Sequence, residues 1–170
     1  YHGWSKDQQY AFWINAYNAY TLELVQRSYP VKSIKDLGGL IRSVWKKSFI
    51  PLGHLAGNPG KELSLDHLEH SILRPEFEDA RVHAAINCAS ISCPPLRDEA
   101  YRAEDIDQQL DSQVAAWLLD PERNSLGEEG TLRVSRIFDW FAADFEREAG
   151  SVQAWITSHA PEGELEWLRT

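Results

Sequence analysis

Two cysteines, Cys88 and Cys93, are the residues of this chain best suited to covalent chemistry. A thiol becomes a nucleophile or a redox group where an electropositive or histidine-containing environment favours its thiolate. His83 precedes Cys88 by five residues and could act as general base, with Arg81 nearby, while Glu69 could hold a histidine or a substrate amine. These residues support the hypothesis of a thiol-dependent enzyme, either a cysteine hydrolase or transferase or a redox protein. Its catalytic residues would be Cys88, His83 and Glu69.

The same two cysteines have other interpretations. They could form a local Cys88–Cys93 disulfide, although a short loop gains little closure entropy. They could also be plain buried thiols, since cysteine is among the residues most often buried. Two cysteines with one or two histidines would suffice in number to hold a metal, but their spacing matches no standard zinc site, so we predict no metal and no cofactor. With a structural disulfide, the chain would be a non-enzymatic module that binds a small-molecule, peptide or thiol ligand, or another protein.

Four polar side chains are candidates for a binding pocket: Asn15, Asn18, Asn87 and Ser90. Asn15 and Asn18 interrupt the apolar stretch 10–25 and share a helix face. A buried amide without a partner costs roughly 1–3 kcal/mol, so both amides must find a hydrogen-bond partner or face a cavity. In the enzyme hypothesis they donate to a developing oxyanion. In the alternative interpretation they bind loop backbone and fix the position of the helix.

Glu69 lies in a helix predicted over 65–74, whose buried stripe consists of Leu65, Leu68, Ile72 and Leu73. The spacing of three and four residues places Glu69 inside this stripe. A carboxylate that points inward is normally paired, hydrogen-bonded or neutralised. Glu69 is therefore either part of a site or the partner of a buried arginine, for which Arg42, Arg74 and Arg81 are the candidates.

The elements that must position these side chains are mainly helices. The stretch 10–25 is apolar on all sides, which predicts a buried central helix over 6–28, started by a capping box of Ser5 and Gln8. Further helices are predicted over 33–37, 65–74, 103–119, 137–148 and 151–159. Short strands are predicted near residues 49–63, 81–88 and 131–134. The predicted fold class is therefore α+β, with a long buried central helix packed on a small antiparallel sheet and surrounded by further helices.

Composition limits the range of functions. The chain has 26 acidic and 17 basic residues and a formal net charge of −9, which argues against a nucleic-acid partner or an anionic membrane surface. The apolar stretch 10–25 is shorter than the roughly 20 residues that a membrane span needs. At 170 residues the chain fits one domain, 1–170. Because it has no methionine, even at position 1, we expect a fragment or processed form that lacks an N-terminal leader or segment.

Five motifs carry a resemblance that covers almost the whole chain: AFWINAYNAYTLELV, YPVKSIKDLGG, ELSLDHLEHSILRPEF, RVHAAINCASISCPPLR and SRIFDWFAADF. With these motifs the chain resembles the uncharacterised family called domain of unknown function 547. The resemblance implies no activity. It implies export signals in many bacterial members, and hence a periplasmic or otherwise exported protein, an environment consistent with the disulfide interpretation. It also implies that some eukaryotic relatives join the domain to glutaredoxin-like or other modules.

A weaker resemblance concerns the fold alone. A buried helix packed on a small sheet, with a His-Ala pair opening a strand, is similar to the papain and transglutaminase architecture. There the nucleophilic cysteine begins the central helix, whereas residues 5–14 of this chain contain no cysteine. Fold similarity by itself does not assign a function.

Overall fold

The computed structural model describes residues 1–38, 43–90, 92–126 and 131–161. Its first helix, α1 (Lys6–Arg27), begins with the predicted capping box, in which the Ser5 hydroxyl accepts from the N–H of Gln8 and the Gln8 side chain accepts from the N–H of Ser5. The side chains of Trp13 and Tyr17 are completely buried. The prediction of a long buried central helix is therefore confirmed.

The second long helix covers 65–77 and contains a π-helical turn. It consists of α2 (Leu65–His67), the π-helical Leu68–Leu73 and α3 (Arg74–Phe77), and Ser64 caps its start. The prediction that it ends before Pro75 was wrong. In the π turn the N–H of Arg74 reaches back to the carbonyl of Glu69, so Pro75 falls in the first turn of α3, where a missing N–H costs little.

The segment predicted as a strand over 81–88 is instead helical at its start. Helix α4 (Val82–Ala85) is followed by extended backbone at Ile86, where ψ is 140°. Periodicity alone does not distinguish a short buried strand from a short buried helix, and two alanines favour the helix. The strand prediction was therefore wrong at the residues that carry His83.

Strand pairing is correspondingly small. Strands β1 (Ser125–Leu126) and β2 (Leu132–Arg133) pair antiparallel. In the predicted hairpin over 49–63, a single bridge joins Ile50 to Leu63. Because these two pairings are all that the described ranges contain, α1 has no sheet to pack on. The predicted α+β fold class was wrong, and the protein is mainly helical.

The remaining helices are α5 (Ile106–Leu118), α6 (Ile137–Trp140), α7 (Ala142–Ala149) and α8 (Val152–His159), with 3-10 turns at Ile34–Leu37, Val44–Lys46 and Ala103–Asp105. The helix predicted over 137–148 is thus broken at Phe141. Gly150 ends α7 in the left-handed conformation, and the helix predicted over 151–159 is present as α8, which Ser151 caps. In the described ranges no helix combines the length and the apolar character needed to cross a membrane. The assignment of 1–170 to one domain stays a prediction.

Two groups of buried side chains form the interior. The first joins α1 to the 65–77 helix, and the second surrounds Trp117, Phe145 and Trp155 on α5, α7 and α8. Cys88 packs against both groups. The cysteine-bearing segment therefore lies where the two halves of the core meet.

Candidate functional site

A cavity of about 330 Å³ opens between the 65–77 helix, the cysteine-bearing segment and α6. Glu69, His83, Cys88 and Cys93 all line it. These side chains come from the 65–77 helix and from the segment 83–93, and the cavity volume is at the lower end of the range typical of ligand pockets. The cavity is therefore the natural candidate site.

The two cysteines form a close dithiol in its wall. Both are free thiols, and their sulfur atoms lie 2.6 Å apart, close enough for one thiol to donate to the other. The backbone N–H of Cys88 also donates to the sulfur of Cys93 at 3.3 Å. The side chain of Asn87 holds the loop that joins them, since its Nδ2 donates to the carbonyl of Pro94 and its Oδ1 accepts from the N–H of Ala89.

The two thiols have different acidities because their hydrogen bonds are not equivalent. The hydrogen bond between the two thiols lowers the pKa of Cys93 to about 7, helped by the backbone N–H groups of Ser90 and Cys88 and opposed by burial. The same hydrogen bond, together with burial, raises the pKa of Cys88. Cys93 is therefore the more acidic thiol of the pair. We had assigned the nucleophile to Cys88, and that assignment stays a prediction that this geometry does not favour.

Glu69 reaches the cavity from the π-helical turn, a feature often found at functional sites. Glu69 is only 8% exposed, and its Oε2 accepts a 3.1 Å hydrogen bond from the Tyr17 hydroxyl. Burial and the neighbouring Glu69 charge raise the pKa of Tyr17 well above its ordinary value, so this hydroxyl stays protonated and donates. The inward orientation predicted for Glu69 is confirmed.

Two of the three arginines considered as partners of Glu69 bind aspartates instead. Arg74 donates to Asp144 at 2.6 Å. Arg81 binds three aspartates, Asp79, Asp107 and Asp111. Arg42 lies outside the described residues. Within the described ranges, Glu69 therefore has the Tyr17 hydroxyl as its partner and no arginine.

His83 is held by an aspartate that the sequence did not indicate. Its Nε2 lies 2.8 Å from Oδ2 of Asp144, and its ring stacks on Phe141 with centroids 4.2 Å apart. Burial alone would raise the pKa of Asp144, but the hydrogen bonds and charges of His83 and Arg74 outweigh it and hold that pKa well below its ordinary value. The ionised carboxylate only accepts, so Nε2 of His83 donates and Nδ1 is left on the opposite edge of the ring.

A role was predicted for His83 and none for its partner Asp144. In the described part of the chain, no hydrogen bond joins His83 to either cysteine sulfur, and its role as general base stays a prediction. Asp144 lies one turn after Phe141 and directly before the buried Phe145, which is the only signal in the sequence that it faces inward. Many other acidic residues have apolar neighbours, so this signal could not single it out.

The candidate binding amides are occupied by backbone. Asn18 donates to the carbonyl of Ala85 at 2.8 Å and accepts from the N–H of Asn87 at 2.9 Å. Asn15 makes the same pair of bonds to the carbonyl and N–H of Tyr101. These contacts correspond to the alternative interpretation of the two amides, in which they bind backbone and fix the position of the helix. Asn18 thereby fixes the segment between His83 and Cys88.

Ser90 also forms hydrogen bonds within the cysteine-bearing loop and is not among the described residues that line the cavity. Its carbonyl accepts from the N–H of Cys93 at 3.0 Å, and its hydroxyl accepts from the N–H of Ser92 at 3.4 Å. Binding roles for Asn15, Asn18, Asn87 and Ser90 stay predictions. What the structure shows for all four is hydrogen bonding to backbone: near the cysteines for Asn18, Asn87 and Ser90, and at Tyr101 for Asn15.

Comparison with known proteins identifies a family and nothing more specific. No curated protein and no solved structure matches the chain. The expected similarity to papain and transglutaminases therefore has no support, and the small sheet on which it depended is missing from the described ranges. The family described as "Protein of unknown function, DUF547" matches residues 1–118, more than half of the chain. The match includes α1, the 65–77 helix and both cysteines, and the chain belongs to this family of proteins of unknown function.

Proposed function

We propose that this protein performs thiol–disulfide exchange on a small ligand in the cavity, with Cys93 as the attacking thiolate and Cys88 as the second thiol. The observation that carries the proposal is the unequal dithiol. The two sulfurs lie 2.6 Å apart, and a thiol and backbone N–H groups are directed at the Cys93 sulfur. A thiolate that exists near neutral pH beside a resolving thiol is the arrangement that disulfide exchange requires.

The reaction balances without a further reagent. The Cys93 thiolate attacks one sulfur of a disulfide R–S–S–R, the S–S bond breaks, and the first thiolate RS⁻ leaves and takes up a proton. Cys88 then loses its proton, and its sulfur attacks the sulfur of Cys93, which releases the second RSH. The protein is oxidised by two electrons to a Cys88–Cys93 disulfide, and the substrate is reduced to two thiols. An external thiol reductant would restore the dithiol.

Redox chemistry is better supported than acyl transfer. A cysteine hydrolase or transferase needs a base that takes the thiol proton, and within the described ranges the group bound to the Cys93 sulfur is the second cysteine rather than His83. The partner of His83 is Asp144. In this proposal the disulfide considered in the sequence is one state of the cycle. Export to an oxidising compartment, implied by the family resemblance, would favour that state and stays a prediction.

The test uses 2-hydroxyethyl disulfide, a small uncharged substrate. Reduced protein is mixed with excess reagent, quenched with acid and measured by intact mass. We expect loss of two hydrogens and release of two equivalents of 2-mercaptoethanol. Cys88→Ser should stop at a mixed disulfide that carries one mercaptoethanol on Cys93, whereas Cys93→Ser should not react on the same timescale.

Two results would contradict this proposal. If native protein carries two thiols that no small disulfide oxidises, the site is not a redox centre. If the cysteines are already bridged and resist reduction while the protein remains folded, the disulfide is structural and the protein is a binding module, the alternative drawn from the sequence.

A further inference from the structure

Glu69 is the charged group of the cavity that lacks an explanation. Only 8% of the residue is exposed, yet within the described ranges its partner is a neutral hydroxyl. Such a carboxylate is costly to bury unless a positive charge joins it. The Tyr17 hydroxyl engages Oε2, and within the described ranges no hydrogen bond engages Oε1 of this cavity-lining residue.

The other ionisable side chains around the cavity do not reverse this negative character. Asp66 lines the wall and is partly exposed, while Lys35 is exposed. His70 accepts from Arg74 at its Nδ1, at 2.8 Å. Among the described lining residues, the carboxylates of Glu69 and Asp66 are therefore accompanied by one lysine, the exposed Lys35.

We propose, on the basis of the dithiol function above, that the substrate is a disulfide that carries a protonated amine, and that Glu69 binds this ammonium group. Both the carboxylate and the dithiol line one cavity of about 330 Å³, so a small molecule can touch them together. An ammonium group supplies donors for Oε1 and the charge that the buried carboxylate lacks. Hydrogen bonds to charged groups are the stronger class, which makes this contact a determinant of specificity.

The same contact couples binding to reactivity. The charge of Glu69 is one of the influences that raise the pKa of both cysteines. A bound ammonium group offsets that charge, so a cationic substrate favours the thiolate that attacks it. Removal of the charge at Glu69 should therefore have opposite effects on the two kinds of substrate: faster reaction with a neutral disulfide and slower reaction with a cationic one.

The experiment compares three disulfides of similar size: cystamine with two ammonium groups, 2-hydroxyethyl disulfide with none, and 3,3′-dithiodipropionate with two carboxylates. Oxidation of the protein is followed by quenched intact mass, and each rate is divided by the rate with N-acetylcysteine to remove differences in leaving group. We expect a normalised preference of roughly tenfold for cystamine over the neutral compound, as for a charge-assisted hydrogen bond. In Glu69→Gln the preference should fall to about twofold or less, while the neutral compound reacts faster.

A matched control separates the local charge from the overall charge of −9. Glu76→Gln makes the same chemical change at an exposed residue of the same helix and should keep the preference. If it loses the preference as Glu69→Gln does, attraction is general and the substrate proposal is overturned. A measurement on the unaltered protein is independent of mutant folding: 1,4-diaminobutane, which has ammonium groups and no sulfur, should slow the reaction with cystamine more than that with the neutral disulfide.

Failure of this proposal is distinct from failure of the dithiol function. If the neutral disulfide oxidises the cysteines and cystamine shows no preference after normalisation, the function stands and the role of Glu69 is refuted. If none of the three disulfides oxidises the cysteine pair, the function itself is refuted, and the substrate proposal with it.

Discussion

Alkylation of Cys93 should depend on pH with a midpoint of about 7, because that is where its thiolate forms. At pH 7 about half of Cys93 is then thiolate, against about 1% for a cysteine with the ordinary value of 9.0. Nucleophilicity falls with pKa with a Brønsted slope of about 0.45, which reduces this roughly fiftyfold advantage about eightfold. The net gain in reactivity at pH 7 is therefore about sixfold, before burial is considered.

Burial of Cys93, which is 1% exposed, slows the reagent by a factor that does not depend on pH. The diagnostic quantity is therefore the midpoint rather than the absolute rate. Iodoacetamide labelling from pH 5 to 9, read by peptide mass spectrometry, measures it separately for Cys88 and Cys93. Cys93 should be labelled first. In Cys88→Ala, which removes the largest stabilising influence on the thiolate, the midpoint should move upward. A midpoint above 8 in the unaltered protein, or earlier labelling of Cys88, would refute this account of the pair.

Two further predictions concern the residues that support the site. Asp144→Asn should destabilise the protein by about 3 kcal/mol, because Arg74 and His83 lose a buried charged partner. Since the pKa of Asp144 is depressed in the folded state, its stabilising effect is complete above the unfolded value of 3.8 and is lost as pH falls below it. Urea unfolding at pH 7 and pH 3 should show that the variant and the unaltered protein differ less at the lower pH; an equal difference would contradict the charge pairing. Asn18→Ala should cost about 2–4 kcal/mol, because the carbonyl of Ala85 and the N–H of Asn87 are both left unsatisfied, and a thermal unfolding shift of less than about 2 °C would contradict it.

Helix ends were the most predictable part of the fold. The capping box at Ser5 was predicted and is present, and Ser64 and Ser151 likewise each cap a helix through a side-chain oxygen. These signals are local, since the capping residue and its partner are three residues apart. A single sequence therefore contains all the information that they need.

The strands failed for the complementary reason. Five of the eight residues 81–88 are apolar, in a pattern that fits a short buried helix as well as a short buried strand. Only a partner strand would decide between them, and a partner is not visible locally. The hairpin over 49–63 had suitable turn residues, yet it pairs at a single bridge. The α+β prediction placed these two ambiguous segments in one antiparallel sheet, whereas the first is helical at its start and the second pairs at one bridge.

The four residues that the sequence singled out for chemistry, Glu69, His83, Cys88 and Cys93, line one cavity, and their catalytic roles stay predictions. Glu69 was selected because a carboxylate falls inside an apolar stripe, and Cys88 and Cys93 because the sequence has no other cysteine. Which thiol ionises was not predictable, because the answer depends on backbone N–H groups whose direction is set by the loop after Asn87. The sequence gives the chemical type of each side chain, whereas the direction of a hydrogen bond follows only from the folded loop.

Asn18 and Asp144 show why a supporting residue is harder to find than a reacting one. Asn18 lies 67 residues before Ala85, and Asp144 lies 61 residues after His83, so neither contact has a sequence signature. Each nevertheless holds the short segment 83–88: Asn18 through hydrogen bonds to the backbone of Ala85 and Asn87, and Asp144 through a hydrogen bond to the ring of His83. Because that segment ends at Cys88, the position of the dithiol depends on two residues outside the cavity. Loss of either side chain should therefore displace the cysteines and reduce the rate of disulfide exchange. The pH midpoint of Cys93 alkylation distinguishes such displacement from a change in the thiols themselves.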